Sequence, residues 1–292
     1  MSKNVFSISI DLGNEPEIKR SLEKMRFEFR SADHAYWNAR KDGLSVTLYN
    51  SGKLLIQGNG ADALAEEILP SEQKIDGLEH LGDIHSWIGT DEAGKGDFFG
   101  PLVVAALYVE KSRMNELMLL EAGDSKKMTD ERIAGIATKI KKNFAHAIVI
   151  IPPQKYNADY EKYHNLNLLL AQAHADAIEK LLKKVDCSVV LSDQFGDERL
   201  IVDSLGKRGQ RVTLVQKTKA ERNPGVAGAS ILARNAFVSE IDKLGKSFGI
   251  ELPKGASKQV IFAGQAFVVK HGRDKLAHVA KLHFKTAAQI HD

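Results

Sequence analysis

The sequence predicts an α/β protein in two parts: a small N-terminal α/β unit, then a larger domain with a mixed central sheet flanked by helices. Three observations predict it. From residue 86 onward, short apolar strands alternate with helical stretches, the pattern of layered α/β folds. That series opens on a short strand within HSWIGTDEAG (85–94) and an apolar strand at 101–110, which read as an antiparallel pair and make the sheet mixed. Before residue 70 the order is different: a strand, a helix, three strands and a closing helix.

In the N-terminal unit, FSISI (6–10) alternates as a strand does. PEIKRSLEKMRFEFR carries Ile18, Leu22, Met25 and Phe29 at helical spacing, which predicts a helix over 16–30. Asp42-Gly43 and Asn50-Ser51-Gly52 are turn signals. Val46, Leu48, Leu54 and Ile56 alternate around them, so 35–60 reads as paired hairpins. ADALAEEIL (61–69) reads as the closing helix. Residues 71–85 are polar and lack a period, and Pro70 precedes them. The expected division is therefore 1–70, a linker at 71–85, and 86–292.

In the larger domain, PLVVAALYVE is an apolar strand. TDERIAGIATKIKKN is a helix with Thr129 at its N-cap. AHAIVIIPP (145–153) is a buried strand stopped by two prolines. A helix over 165–184, strands at 187–193 and 211–220, a helix over 226–244 and a closing helix near 273–290 complete the expectation.

Composition narrows the function classes. One cysteine, Cys187, excludes an internal disulfide framework and a thiolate zinc site, and fits a reducing compartment. The N-terminus has no signal-peptide layout and no apolar run has bilayer length, so the expectation is a cytoplasmic monomer that engages no membrane. Residues 1–85 carry a charge balance of −4, and 86–292 carry +7. A basic C-terminal part suits a polyanionic partner. The phosphate-loop pattern and the dinucleotide fingerprint are both absent, which argues against a nucleotide switch or a small-molecule cofactor.

The chemistry concentrates in GTDEAGKGDFFG (89–100). Asp91 and Glu92 end a strand, Asp193 ends VVLSD, and Glu221 follows VTLVQKTKA where a strand gives way to a helix. Strand ends are where α/β sheets build sites. If those strands are neighbours, the four carboxylates converge and repel one another unless a cation sits among them. Oxygen ligands without thiolates favour magnesium or manganese, and a pair of such ions activates water against a phosphodiester. Singly, each acid has a plainer reading: a solvated pair for Asp91-Glu92, a turn for Asp193, a surface charge for Glu221. The turn Gly94-Lys95-Gly96 lets backbone approach a ligand, and its amides with Lys95 suit a phosphate or a sugar hydroxyl; the plain alternative is an ordinary tight turn.

These residues resemble a known family. GTDEAGKGDFFGPLVVAA is similar to the DEAG[R/K]G signature of the type 2 ribonucleases H, the HII and HIII group. DSKKMTDER (124–132), LSDQFG (192–197) and KAERNPGVAGASILAR (219–234) resemble its further motifs, in order, across most of 86–292. The extended DEAGKGDFFGP, KYHNLNLLLAQAHADAI (162–178), Glu221 as fourth acid and VAKLHFKT (279–286) resemble the HIII branch. The N-terminal unit, with YNSGKLLIQG, is similar to the TATA-box-binding-protein-like substrate-binding domain of that branch. The resemblance implies a ribonuclease H-like catalytic domain that hydrolyses the RNA strand of RNA/DNA hybrids with two magnesium or manganese ions, leaving 5′-phosphate and 3′-hydroxyl ends. It implies Asp91, Glu92, Asp193 and Glu221 as catalytic metal ligands, with Asp91 bridging beside Asp193, and Gly94, Lys95 and Gly96 on the RNA strand. Lys95 echoes the arginine of the HII turn, so cleavage at single ribonucleotides in DNA stays open as an alternative. A non-catalytic hybrid-binding protein is the other, argued against by the presence of all four acids.

Lys126, Asn165 and Ser230 are further candidates for substrate contact. Lys126 with Lys127 has the plain reading of a solvated pair, and His164, placed with Asn165 near the groove, that of a cap on the helix that follows. Arg234 offers a phosphate contact or a salt bridge. Lys281, His283 and Lys285 fall on the expected last helix, where basic residues are usually solvated. Tyr36, Trp37 and Tyr49 offer an aromatic face or plain packing on the N-terminal sheet.

Overall fold

A computed structural model describes residues 4–10, 12–69, 75–121 and 128–291. The chain divides into two units, one from the described residues of Met1–His85 and Glu110–Met128, the other from Ser86–Val109 and Thr129–Asp292.

The first unit holds β1 (Val5–Ser9), α1 (Glu15–Lys24), β2 (Glu28–Arg30), β3 (Ala35–Lys41), β4 (Leu44–Tyr49), β5 (Lys53–Gln57) and α2 (Ala61–Ile68). Its strands form one antiparallel sheet in the order β1-β5-β4-β3-β2. The β3–β4 turn places Asp42 (φ 47°) and Gly43 (φ 81°) in the left-handed region, as a tight hairpin demands. Val46, Leu48, Leu54 and Ile56 are all fully buried against Ile18 and Leu22 of α1.

The helix expected over 16–30 is shorter. It ends at Lys24; Arg26 turns left-handed (φ 62°) and the Phe27 amide reaches back to Leu22 O at 3.0 Å. The released residues Glu28–Arg30 pair with β3 as an edge strand, which makes four strands follow the first helix rather than three. Phe29 packs edge-on to Trp37 at 5.3 Å. Trp37 is itself buried, its Nε1 donating to Glu15 Oε1 (2.7 Å), so the aromatic face is not a platform there; Tyr36 is the exposed ring.

The chain continues with β6 (Ser86–Ala93), β7 (Leu102–Glu110), α3 (Met114–Glu121), α4 (Asp130–Asn143), β8 (His146–Ile151), α5 (Pro153–Tyr163), α6 (Leu166–Leu181), β9 (Val189–Asp193), α7 (Arg199–Ser204), β10 (Thr213–Lys217), α8 (Pro224–Phe248) and α9 (Lys258–His271). α3 belongs to the first unit, where Leu119 joins the core. The second unit is a mixed sheet in the order β10-β9-β6-β7-β8. β6, β9 and β10 run parallel, and β8 is antiparallel to β7. Thr129 caps α4 by accepting from the Arg132 amide (3.3 Å).

Three expectations are corrected. The prolines after β8 do not only stop a strand: Pro153 occupies the first turn of α5, where a missing N–H is harmless. α9 was not expected. The closing helix near 273–290 is instead two short 3-10 turns, Arg273–His278 and Lys285–Gln289. Between them Ala280 forms an antiparallel bridge with Phe99, which needs extended backbone.

Candidate active site

Strand alternation in β6 sorts the site. Successive side chains point to opposite faces of a sheet. Ile88 packs in the core that α6 covers, and Thr90 hydrogen-bonds to His174 of α6. Gly89 faces α8: a Cβ there would overlap Gly225 and Val226 at the start of that helix. Asp91 therefore faces α8, and its partner is the Ser230 hydroxyl. Glu92 faces α6, and its partner is His174.

β9 lies beside β6 in parallel register, with Thr90 opposite Ser192. The next residues, Asp91 and Asp193, are thus lateral neighbours on the α8 face at the carboxyl ends of the strands. Asp193 is opposite Lys217 of β10, and its Oδ1 accepts the Ala220 amide (3.0 Å). That bond ties it to the 3-10 turn Ala220–Arg222, which holds Glu221. Asn223 then starts α8. Buried, it accepts from the Gly225 amide (2.9 Å) and the Trp87 Nε1 (2.8 Å), fastening the helix start to β6.

The electrostatics differ between the adjacent acids. Burial, then the charge of Glu92, pushes the Asp91 carboxyl up to about 7. For Glu92 burial also acts upward, but the hydrogen bond and charge of His174, with Lys95, outweigh it and hold the carboxyl below its usual range. His174 is fully buried; Nε2 lies 3.2 Å from Glu92 Oε2 and Nδ1 lies 3.1 Å from Thr90 Oγ1. Lys95 Nζ lies 3.4 Å from Glu92 Oε1 and 5.6 Å from the centre of the Phe195 ring.

Asp91 and Asp193 offer hard oxygen donors side by side, and a cation there would favour the charged form that burial and Glu92 disfavour in Asp91. That chemistry fits magnesium or manganese. Among the described residues no three acids, histidines or cysteines meet closely enough to form a ready-made ligand cluster. The alternation explains it: Glu92 points to the other face from Asp91, and both its oxygens are already engaged.

The other expected residues fall as follows. Gly94 (φ 87°) needs its conformation, and a Cβ would strike the Pro101 carbonyl oxygen; Gly96 has open space around it. Ser230 is drawn to Asp91. Asn165 caps α6, its Oδ1 accepting the Asn167 amide (2.9 Å), while His164 ends α5 in the left-handed region. Arg234 pairs with Asp130 (3.1 Å), the salt-bridge reading. Lys126 and Lys127 lie outside the described residues. Lys281 is not on a solvated helix face but fully buried. His174 and Asn223 were missed. The available signals were a histidine within a buried Leu/Ala stripe of α6 and an asparagine directly before a proline.

A helix-covered mixed sheet with acids at the ends of two neighbouring parallel strands, and a further acid in the 3-10 turn after the third, defines a ribonuclease H-like hydrolase. A family model described as Ribonuclease HII matches residues 88–287, and one described as a domain of unknown function matches 17–76. The chain belongs to the ribonuclease HII family. Relatives named ribonuclease HIII include one from Chlamydia abortus, 40% identical over 280 residues (94% of this chain, 93% of the relative). Another, from Protochlamydia amoebophila, is 38% identical over 289 residues (98% and 96%). Among solved structures, Bst-RNase HIII in complex with Mn2+ superposes with a TM-score of 0.69 at 27% identity, covering 98% of this chain and 97% of that one. Ribonuclease H3 of Aquifex aeolicus gives 0.58 at 27% identity, covering 96% and 100%.

Proposed function

We propose that this chain is an endoribonuclease that hydrolyses the RNA strand of RNA/DNA hybrids, with Asp91, Glu92, Asp193 and Glu221 as its catalytic metal ligands. The observation that carries the reading is the lateral placement of Asp91 and Asp193 on neighbouring parallel strands, in a chain 40% identical to a protein named ribonuclease HIII. The Mn2+ in the Bst neighbour supports a divalent ion, and the donor set supports two, magnesium or manganese. Bound there, such ions supply the Lewis acidity that activates a water and steadies the leaving oxygen. The family resemblance gives 5′-phosphate and 3′-hydroxyl products.

The chain's own residues prepare that chemistry. Ser230 holds the Asp91 carboxylate, the Ala220 amide orients Asp193, and His174 orients Glu92. Gly94, Lys95 and Gly96 present backbone amides and a cation to the RNA strand, beside the acids, where a 2′-hydroxyl distinguishes RNA from DNA. Lys126 is a proposed backbone contact. We read 1–70 as a substrate-binding domain, 71–85 as a linker and 86–292 as the catalytic domain, although the described residues of Glu110–Met128 group with the first unit. No helix of the described residues is long and apolar enough to cross a membrane. The buried lone Cys187 supports a reducing compartment, and we place the protein in the cytoplasm as a monomer.

The test is cleavage, with magnesium or manganese, of two labelled duplexes: an RNA strand paired with DNA, and DNA carrying one ribonucleotide. Cutting of the first supports the reading. Cutting of the second as well shows that Lys95 reads junctions. Cutting of neither, with both metals, overturns it.

A further inference from the structure

Lys281 is fully buried, with its amine far from water and surrounded by carbonyls. Its Nζ donates to Asp97 O (2.8 Å), Phe99 O (3.4 Å) and Gly100 O (2.7 Å), and its backbone amide donates to Phe98 O (2.8 Å). One residue thus takes all four consecutive carbonyls of Asp97–Gly100. The same segment is held elsewhere. The Gly100 amide donates to Val279 O (2.8 Å), the Phe98 amide to Gly255 O (2.9 Å), and Asp97 Oδ1 accepts the Gly255 amide (2.6 Å). Burial pushes the Lys281 ammonium down to about 7, opposed only by the charge of Asp97, and the Tyr156 ring lies 5.7 Å from Nζ.

A buried ammonium is expensive unless its donors are all used. Here they are used, and on a stretch that begins one residue after Gly96. The Asp97 amide closes the preceding turn on Gly94 O (3.3 Å). An ammonium offers three donors with tetrahedral spread. Together with the amide of the same residue, that suits four carbonyls in a row better than any apolar side chain of similar length.

We propose that Lys281 is a positioning residue for substrate. By gathering the carbonyls of Asp97–Gly100 on the inner side, it fixes the Gly94-Lys95-Gly96 turn so that its amides stand toward the RNA strand. This rests on the reading that the turn contacts a hybrid. The C-terminal segment then acts on substrate grip and not on the acids, because Lys281 touches none of the four.

The experiment is steady-state cleavage of the RNA/DNA duplex by wild type, Lys281→Gln and Lys281→Met, with the folded fraction of each set by far-ultraviolet circular dichroism. Gln keeps two donors and Met keeps none. The expected result is a graded rise in KM, several-fold for Gln and at least about tenfold for Met, with kcat per folded enzyme within about twofold. A loss of melting temperature with unchanged KM in both variants would mean a structural pin only, and would overturn the proposal. Should Lys281→Met not fold, Asp97→Ala loosens the same turn by removing the Gly255 anchor; a raised KM supports the proposal and an unchanged one overturns it. A wild type that cuts no hybrid removes the functional reading and this proposal with it. A wild type that cuts, with variants of unchanged KM, removes this proposal alone.

Discussion

His174 Nε2 stands 3.2 Å from Glu92 Oε2, across 82 residues of sequence. Nε2 donates to the carboxylate in either protonation state of the ring, and in the neutral ring Nδ1 accepts from the buried Thr90 hydroxyl. Strand β6 thus carries its acids in two settings. Asp91 is raised toward neutrality, whereas Glu92 is held ionised and aimed by a histidine that water does not reach.

Removing that histidine should loosen Glu92 without deleting it. His174→Ala is expected to lower the cleavage rate about 10–100-fold and to raise the metal concentration needed for half-maximal rate, the usual consequence of losing a partner of a ligand. His174→Gln, which keeps one N–H for Glu92, should lose less. A metal titration of cleavage checks this; equal metal requirements in wild type and His174→Ala would sink it.

Asp91→Asn preserves shape and removes one ligand charge. Cleavage should fall by about 1000-fold or more. Hybrid affinity, read by fluorescence anisotropy, should stay within about twofold, because the turn that grips the RNA is untouched. The metal-free variant should melt no lower than wild type, since the carboxyl whose charge is disfavoured by burial and by Glu92 is gone. Retained turnover would remove Asp91 from the chemistry.

Gly89 is where α8 meets β6. An added Cβ would collide with the backbone of Gly225 and Val226, which cannot swing aside as a side chain can. Gly89→Ala should cost about 1–3 kcal/mol, a fall in melting temperature of about 2–12 °C in a domain of this size. It should also lower cleavage, because the helix start carries Ser230 away from Asp91. Calorimetry showing an unchanged melting temperature would refute the close-packing argument.

Local chemistry was legible in the sequence, and long-range contact was not. GTDEAGKGDFFG announced itself because its apolar approach, acids and glycines are covalent neighbours. That Asp91 and Asp193 stand side by side depended on β6 and β9 being adjacent, which the motif order only implied. His174 was hidden because its environment reads as core until β6 is laid beneath it. Phe29 misled because helical spacing continues past Lys24, where the left-handed Arg26 ends the helix and a three-residue edge strand begins. The stretch after Gly272 misled for a tertiary reason: Val279–Lys281 is recruited by the carbonyls and amide of Phe98–Gly100, and backbone so used cannot be helical.

The raised Asp91 carboxyl makes stability depend on pH and metal together. Its folded value is about 7 and its ordinary value 3.8, so between them the native form binds more protons than the unfolded chain. Unfolding free energy therefore falls as pH rises through that window, by at most about 1.4 kcal/mol per pH unit from this group. Glu92 has the opposite sign, since its lowered carboxyl stabilises the native form at neutral pH and loses that effect only in acid. From pH 5 to 7 the Asp91 effect should dominate. Chelator-treated protein should melt lower at pH 8 than at pH 5.5. Magnesium or manganese should restore more at pH 8, where the carboxylate is already ionised; a concentration 100 times the dissociation constant adds about 2.7 kcal/mol. At limiting metal, cleavage should rise with pH because the proton and the metal compete for Asp91, and saturating metal should remove that dependence. In Asp91→Asn the metal-free slope should flatten. A melting temperature that is flat across pH 5.5–8, or equally sloped in the variant, would show that Asp91 does not carry this linkage.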